Sequence, residues 1–219
     1  MIRVVLLVLL AFGPGLLAGC AGGDETSKVL GSVRIAAGER TGDATTVNGS
    51  IDLGANCVVK DAETVNGSVK LHEHAFAQSV KTVNGSVHLN QGARVAGSVD
   101  VVNGSVLLDR GADVGGRVTN VNGSIHLESA HVGGGIETSS GDIALGGASH
   151  IEGGIRVTND NAGWFHFGSW RRPRIVIGPD AVVQGSLIFK REVQLYVSDR
   201  AQIGPVEGAT ATRFSGAEP

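Results

Sequence analysis

Thr46-Val47-Asn48-Gly49-Ser50-Ile51-Asp52-Leu53 decides the fold, because the chain repeats it. Val-Asn-Gly-Ser followed by an aliphatic residue returns at Asn66, Asn84, Asn103 and Asn122, with spacings of 18, 18, 19 and 19 residues. A degenerate copy reads Ser139-Ser140-Gly141-Asp142-Ile143, and Leu30-Gly31-Ser32-Val33 stands 18 residues before the first full copy. A short fixed period means that one structural unit is copied along an axis, and each unit can bury its apolar side only against its neighbours.

The residues inside each period say what the unit is. After each Asn-Gly-Ser comes aliphatic, variable, aliphatic: Ile51 and Leu53, Val69 and Leu71, Val87 and Leu89, Val106 and Leu108, Ile125 and Leu127, Ile143 and Leu145. That alternation is strand periodicity, with successive side chains on opposite faces. A second apolar column is expected at Val58, Phe76, Val95, Val114, Val132 and Ile151, and a third at Ala62, Val80, Val99, Val118, Ile136 and Ile155. Three short strands per 18–19 residues predict an all-β chain, a single-stranded parallel β-helix (β-solenoid) of triangular coils. Asn and Gly tolerate positive φ, so the Asn-Gly pair is expected to turn a corner. Stacked Asn48, Asn66, Asn84, Asn103 and Asn122 are expected to form an amide ladder. Ser50, Ser68, Ser86, Ser105 and Ser124 make a polar column beside it, continued by Asp142. Glu39, Arg40 and Asp43 give the first coil a polar face that ends the stack.

The ends and one interruption divide the chain. Arg3 followed by the apolar run Val4 to Phe12 reads as a signal peptide over 1–19, since the run is too short to span a bilayer. Leu17-Ala18-Gly19-Cys20 resembles the bacterial lipobox, which implies lipidation of Cys20, a membrane anchor through the N-terminal lipid, and, with Ala21 rather than Asp next, the outer membrane. Residues 20–28 are the lipidated Cys and a polar tether, 29–158 the regular β-helix, 175–204 its C-terminal coils and 205–219 a cap or tail. Between them lies an inserted aromatic and Arg-rich loop, 159–174. It carries Trp164, Phe165, Phe167, Trp170, Arg171 and Arg172, side chains suited to stacking on sugars, touching lipid headgroups or docking a protein, or to folding over the solenoid as a lid.

Several chemistries are disfavoured. The chain carries 18 Lys+Arg against 21 Asp+Glu, and loss of Arg3 with the leader takes it to about −4, so no nucleic-acid partner is expected. Cys57 is the only cysteine besides Cys20, which leaves no internal disulfide once Cys20 is lipidated. The Asn-Gly-Ser copies match an N-glycosylation acceptor, but the structural period already accounts for them. His88 and His126 share an outward column with Leu107 between them, and His72, Glu73 and His74 sit at a turn. No metal site and no cofactor are expected. Asp52, Lys70, His88, Leu107, His126 and Ala144 fill that outward column without a common chemistry, and no enzyme is expected.

The Gly-Ser-Val-x-Leu units, such as Gly67-Ser68-Val69-Lys70-Leu71, and the Ala-x-Val-x-Gly-x-Val units, such as Ala93-Arg94-Val95-Ala96-Gly97-Ser98-Val99, carry a resemblance. The chain resembles the adhesin-like β-repeat lipoproteins of bacteria and, more loosely, the bactofilins, which are polymer-forming cytoskeletal proteins. The likeness covers roughly residues 29 to 204. It implies a structural or adhesin-like envelope role, with an envelope protein or glycan as partner. Bactofilins further imply a right-handed helix and end-to-end self-association. The lipobox, the polar first coil and the inserted loop depart from that pattern. A third expectation competes locally: Ile177-Gly178-Pro179-Asp180-Ala181-Val182-Val183 resembles the hexapeptide acyltransferases, which act as trimers with a catalytic His on a loop, and His166 lies in the insertion.

Overall fold

A computed structural model describes residues 25–158 and 172–219. Among them there is no helix. Parallel strands stack in about ten turns of about 18 residues, a β-solenoid. Each turn has three faces. The first is a sheet of ten strands that runs from Val33–Ile35 through Ile51–Leu53, Val69–Leu71 and their successors to Gln194–Ser198 and Ala211–Phe214. The second carries the two-residue strands Arg94–Val95, Asp113–Val114, His131–Val132, His150–Ile151, Val182–Val183 and Gln202–Ile203. The third runs from Thr26–Leu30 and Ala44–Asn48 through Val99–Asn103, Val118–Asn122, Ile136–Thr138, Ile155–Val157 and Leu187–Phe189 to Val206–Glu207. The nine-residue strands Val58–Asn66 and Phe76–Asn84 turn the corner between the last two faces, so that those faces share one sheet of 16 strands.

Parallel pairing superposes equivalent residues, and the core is a set of columns. Leu53, Leu71, Leu89, Leu108, Leu127, Leu145, Ile177 and Val197 stand in register on the first face. All are essentially inaccessible. At the corner that follows, Cys57, Ala75, Ala93, Ala112, Ala130 and Ser149 are buried where only a small side chain fits. The Cys57 thiol is pushed up to about 11, chiefly by burial and secondarily by Glu39, which makes it a packing group rather than a nucleophile.

The second apolar column is displaced by one residue in two coils. Val58 pairs with Phe76, and Phe76 with Arg94, all outward-facing; Val59 and Ala77 pair into the Val95 position and are fully buried. The cause is the corner length. Two residues separate Val59 from Ala62 and Ala77 from Val80, whereas three, Ala96-Gly97-Ser98, separate Val95 from Val99. The extra residue breaks the long strand in two and creates the 19-residue period.

Positive φ occurs at two corners: at the expected Asn-Gly corner in Gly31, Gly104 and Gly123, with φ of 98°, 153° and 132°, and in non-glycine residues at the corner before the small side chains. Asn56, His74, Ser129 and Asp180 have φ of 59°, 57°, 51° and 64°, all just before the small-residue column or its equivalent. There Cys57, Ala75 and Ala181 each donate a backbone N–H to the carbonyl three residues back. This is a tight turn with positive φ at its third position, as type II requires. The Ile177 to Val183 segment is therefore an ordinary coil of this solenoid.

Both boundaries also move outward. Thr26–Leu30 already pairs with Ala44–Asn48, so the strand begins inside the stretch read as a tether. Val206–Glu207 and Ala211–Phe214 pair with the preceding coil, so the stretch read as a cap or tail is the last turn of the stack. Ten turns at ~4.8 Å give a rod ~48 Å long. Cys20, Trp164, Phe165, His166, Phe167, Trp170 and Arg171 lie outside the described residues.

Val114 is fully buried between Val95 and Val132. Val114→Asp is expected to cost about 4 kcal/mol or more, while Leu107→Asp, on the outward side, stays within ~0.5 kcal/mol. Denaturant melts of the two variants check the register directly.

Candidate functional site

The Asn-Gly-Ser corner joins the third face to the first and carries ladders of side-chain hydrogen bonds from coil to coil. Asn66 Nδ2 donates to Asn48 Oδ1 at 2.9 Å, Asn84 to Asn66 at 2.9 Å, Asn103 to Asn84 at 3.0 Å and Asn122 to Asn103 at 3.1 Å. Each amide in the interior of the ladder donates to one neighbour and accepts from the other. The serines run a second ladder: the backbone N–H of Ser50, Ser68, Ser86 and Ser105 each donates to the preceding coil's serine Oγ at 3.1–3.3 Å. Ser105 and Ser124 then meet hydroxyl to hydroxyl at 2.9 Å.

A third column had no signal in the alternating pattern. Thr46, Thr64 and Thr82 point inward although polar, and are almost fully buried. Each Oγ1 donates to the carbonyl of the previous coil's corner glycine, Gly31, Gly49 and Gly67, at 2.9–3.0 Å. Asn120 fills the same position and reaches Gly104 O at 2.9 Å. The clue was the Thr two places before Asn48, Asn66 and Asn84, a polar residue at a core position.

What all five corner glycines share is close approach, with positive φ added only at Gly104 and Gly123. At Gly49, Gly67 and Gly85 the backbone lies outside the left-handed region, and an added Cβ would fall on the carbonyl oxygen of the glycine one coil before. Glycine is required because two main chains pass too close for any side chain.

The ladder stops at the last full copy. Ser140 replaces asparagine and its Oγ contacts Asn122 Oδ1. One coil later the corner is where the insertion leaves. Ile143 pairs with Ile175, and Ile155 with Leu187, so this coil takes 32 residues. Its described flanks are polar. Thr158 Oγ1 meets Ser139 Oγ at 3.1 Å, Arg191 Nη1 donates to Ser139 O at 3.0 Å, and Arg174 N donates to Asp142 Oδ1 at 2.8 Å. Arg172 pairs with Glu192 at 2.9 Å, and the Arg174 guanidinium lies over the Tyr196 ring at 5.3 Å. Arg172, the one residue of the aromatic set that is described, is thus placed at the edge of the break.

Two further groups of charged residues lie on the outer faces. A shallow groove of about 260 Å³ on the third face is floored by Gly134-Gly135 and Gly153-Gly154 and flanked by Arg117, Glu137 and Arg156. Arg117 and Glu137 are paired at 2.9 Å. On the second face His131 bridges three coils: Nδ1 lies 2.6 Å from Asp113 and Nε2 3.1 Å from Glu152. His150 stacks beside it, with ring centroids 5.8 Å apart. The hydrogen bond to Asp113 is the main cause that raises the His131 pKa above its ordinary 6.5, with burial opposing it and Glu152 assisting. The other histidines named in the sequence are separate: His72 contacts Asp52 at 2.7 Å and His88 contacts Asp109 at 2.8 Å, while His126 and His88 flank Leu107. Among the described residues no three His, Cys, Asp or Glu side chains are arranged to hold a metal.

Comparison with known proteins finds no matching family model, no similar curated protein and no similar solved structure.

Two outcomes follow from this geometry. Gly85→Ala is expected to destabilise by about 2–3 kcal/mol, because two backbones must separate, and a denaturant melt measures it. For His131 the folded pKa is raised, so its contribution is fully present below the unfolded value near 6.5 and is lost as pH rises through the folded pKa. The side chain is 37% exposed, which limits the effect to ~1 kcal/mol or less. Stability measured across that window is expected to fall with pH in the wild type and to be flatter in His131→Gln.

Proposed function

We propose that the chain is an outer-membrane lipoprotein, anchored through Cys20, whose solenoid is a non-enzymatic scaffold with an adhesin-like role and whose recognition surface is the interrupted corner. The supporting observation is how the polar side chains are distributed. The repeated Asn, Ser and Thr residues are engaged coil to coil, which leaves them holding the rod rather than meeting a substrate. The one place where the period opens is framed by Arg172, Arg174, Lys190 and Arg191, and the inserted sequence adds Trp164, Phe165, Phe167, Trp170 and Arg171. Aromatic and guanidinium groups together suit a glycan or an acidic envelope protein.

Radiolabelled palmitate is expected to enter the wild-type protein in bacterial cells and to be absent from Cys20→Ser; equal labelling of both would sink the anchor. Soluble protein lacking Cys20 is expected to capture an envelope component from cell extracts, with Trp164→Ala/Trp170→Ala weakening capture by roughly tenfold or more. Capture of nothing, or capture unaffected by the double substitution, removes the adhesive part.

A second reading has its own observation. Val29 and Leu30 are 65% and 76% exposed on the first strand of the stack. An uncovered apolar strand edge is a template for another chain. That favours a bactofilin-like scaffold that self-associates end to end. Filaments by negative-stain microscopy, lost in Leu30→Lys, support this reading; monomers at every concentration dismiss it.

A further inference from the structure

Five Asn-Gly pairs stand in one column, and Asn-Gly is the dipeptide whose side-chain amide is most open to attack by the next residue's backbone nitrogen. The product is a cyclic imide: the Gly N–Asn Cγ bond forms, the Cγ–Nδ2 bond breaks, and ammonia leaves with the proton the backbone nitrogen gives up. Water then opens the imide to aspartate or isoaspartate, with no oxidant or reductant involved. The reaction therefore requires that the glycine nitrogen be free to lose its proton and to swing toward Cγ.

In four pairs it is held. Gly49 N–H donates to Asn66 O at 3.0 Å, Gly67 to Asn84 O at 3.0 Å, Gly85 to Asn103 O at 2.9 Å and Gly104 to Asn122 O at 2.9 Å. Each nitrogen is locked to the next coil, and the coil must open locally before it can react. The fifth pair differs because the next coil reads Ser140-Gly141 instead of Asn-Gly. There Ser140 N–H turns to Val121 O at 3.0 Å and Gly141 N–H to Thr138 Oγ1 at 3.0 Å. Gly123 N–H has no acceptor among the described residues. Gly123 is also the one glycine of the five that is exposed, and its φ of 132° sets it apart from Gly49, Gly67 and Gly85. The Ser140 hydroxyl contacts Asn122 Oδ1, the oxygen on which negative charge builds as Cγ becomes tetrahedral.

We propose that Asn122-Gly123 is a self-modification site, at which the folded protein converts Asn122 to aspartate or isoaspartate while the other four pairs are protected by the stack. The product cannot donate to Asn103 Oδ1, which now accepts from Asn122 Nδ2 at 3.1 Å. Isoaspartate also adds a backbone atom where coils repeat at ~4.8 Å. The ladder thereby loses its last rung, two coils before the corner from which the insertion leaves. The change depends on the age of the protein and runs in one direction.

The test incubates the full-length folded protein in mildly alkaline buffer at physiological temperature. Peptide mapping by mass spectrometry then follows the amide-to-acid conversion at all five asparagines, with enzymatic methylation to score isoaspartate. Conversion at Asn122 is expected to be at least roughly tenfold faster than at Asn48, Asn66, Asn84 or Asn103. The same chain in denaturant is expected to react at all five with similar rates, which separates the structural effect from local sequence. Asn122→Gln should leave the other four as slow as before. Equal rates in the folded protein, a faster reaction at any other pair, or no preference for Asn122 over the denatured pattern would overturn the proposal.

Discussion

One constraint governs this molecule: a parallel strand hydrogen-bonded to its own copy one turn later. The pairing sets a rise of ~4.8 Å and puts each residue directly above its equivalent. Every side chain therefore meets its equivalent in the next coil, and where the sequence repeats a residue the choice is multiplied along the axis. An inward leucine becomes a leucine column, an outward asparagine becomes a chain of amides, and a glycine next to a glycine lets two backbones touch. A hydroxyl aimed at the carbonyl of the corner before it, as in Thr64 and Gly49, solves the problem of a polar group in the core in the same way at each turn. Such interactions are individually worth about 1 kcal/mol. They matter because the geometry repeats them without additional ordering.

The same constraint explains what was legible in the sequence. The period, the parallel coils and the core columns of the first face follow from spacing alone, and Asn48, Asn66, Asn84, Asn103 and Asn122 stack as amides should. What spacing could not show is how a corner is made. Asn-Gly suggests positive φ, which of the five pairs only Gly104 and Gly123 adopt; proximity is what all five glycines share, and the non-glycine residues with positive φ are Asn56, His74, Ser129 and Asp180, four types with no common signature. The column through Val59 and Ala77 was misplaced because Val58 is as apolar as Val59 and Phe76 more so than Ala77, and only the corner length reveals which faces inward. The buried threonines escaped because a polar residue in an alternating strand reads as outward.

The candidate site was legible as an interruption, not as a chemistry. Aromatic and arginine residues clustered where the period failed, and the flanks Thr158 and Arg172 fall on the Asn-Gly corner. The contacts that fill the broken position come from residues far apart in sequence, Ser139 with Arg191 and Asp142 with Arg174. Nothing in a linear pattern brings them together. The link of His131 with Asp113 and Glu152 was invisible for the same reason: each lies in a different coil and only stacking aligns them.

The 32-residue coil stacks in register with neighbours on both sides, since Ile143 pairs with Ile175 and Ile175 with Leu195. Perimeter and pitch are thus independent in this architecture. A coil may carry a long excursion at one corner while its three strands keep their partners, so selection can act on the excursion without renegotiating the rod. That makes the corner a graft point: foreign loops introduced at the equivalent place in another turn would inherit a fixed height along the axis, and two grafts would be held at a separation set by the number of turns between them.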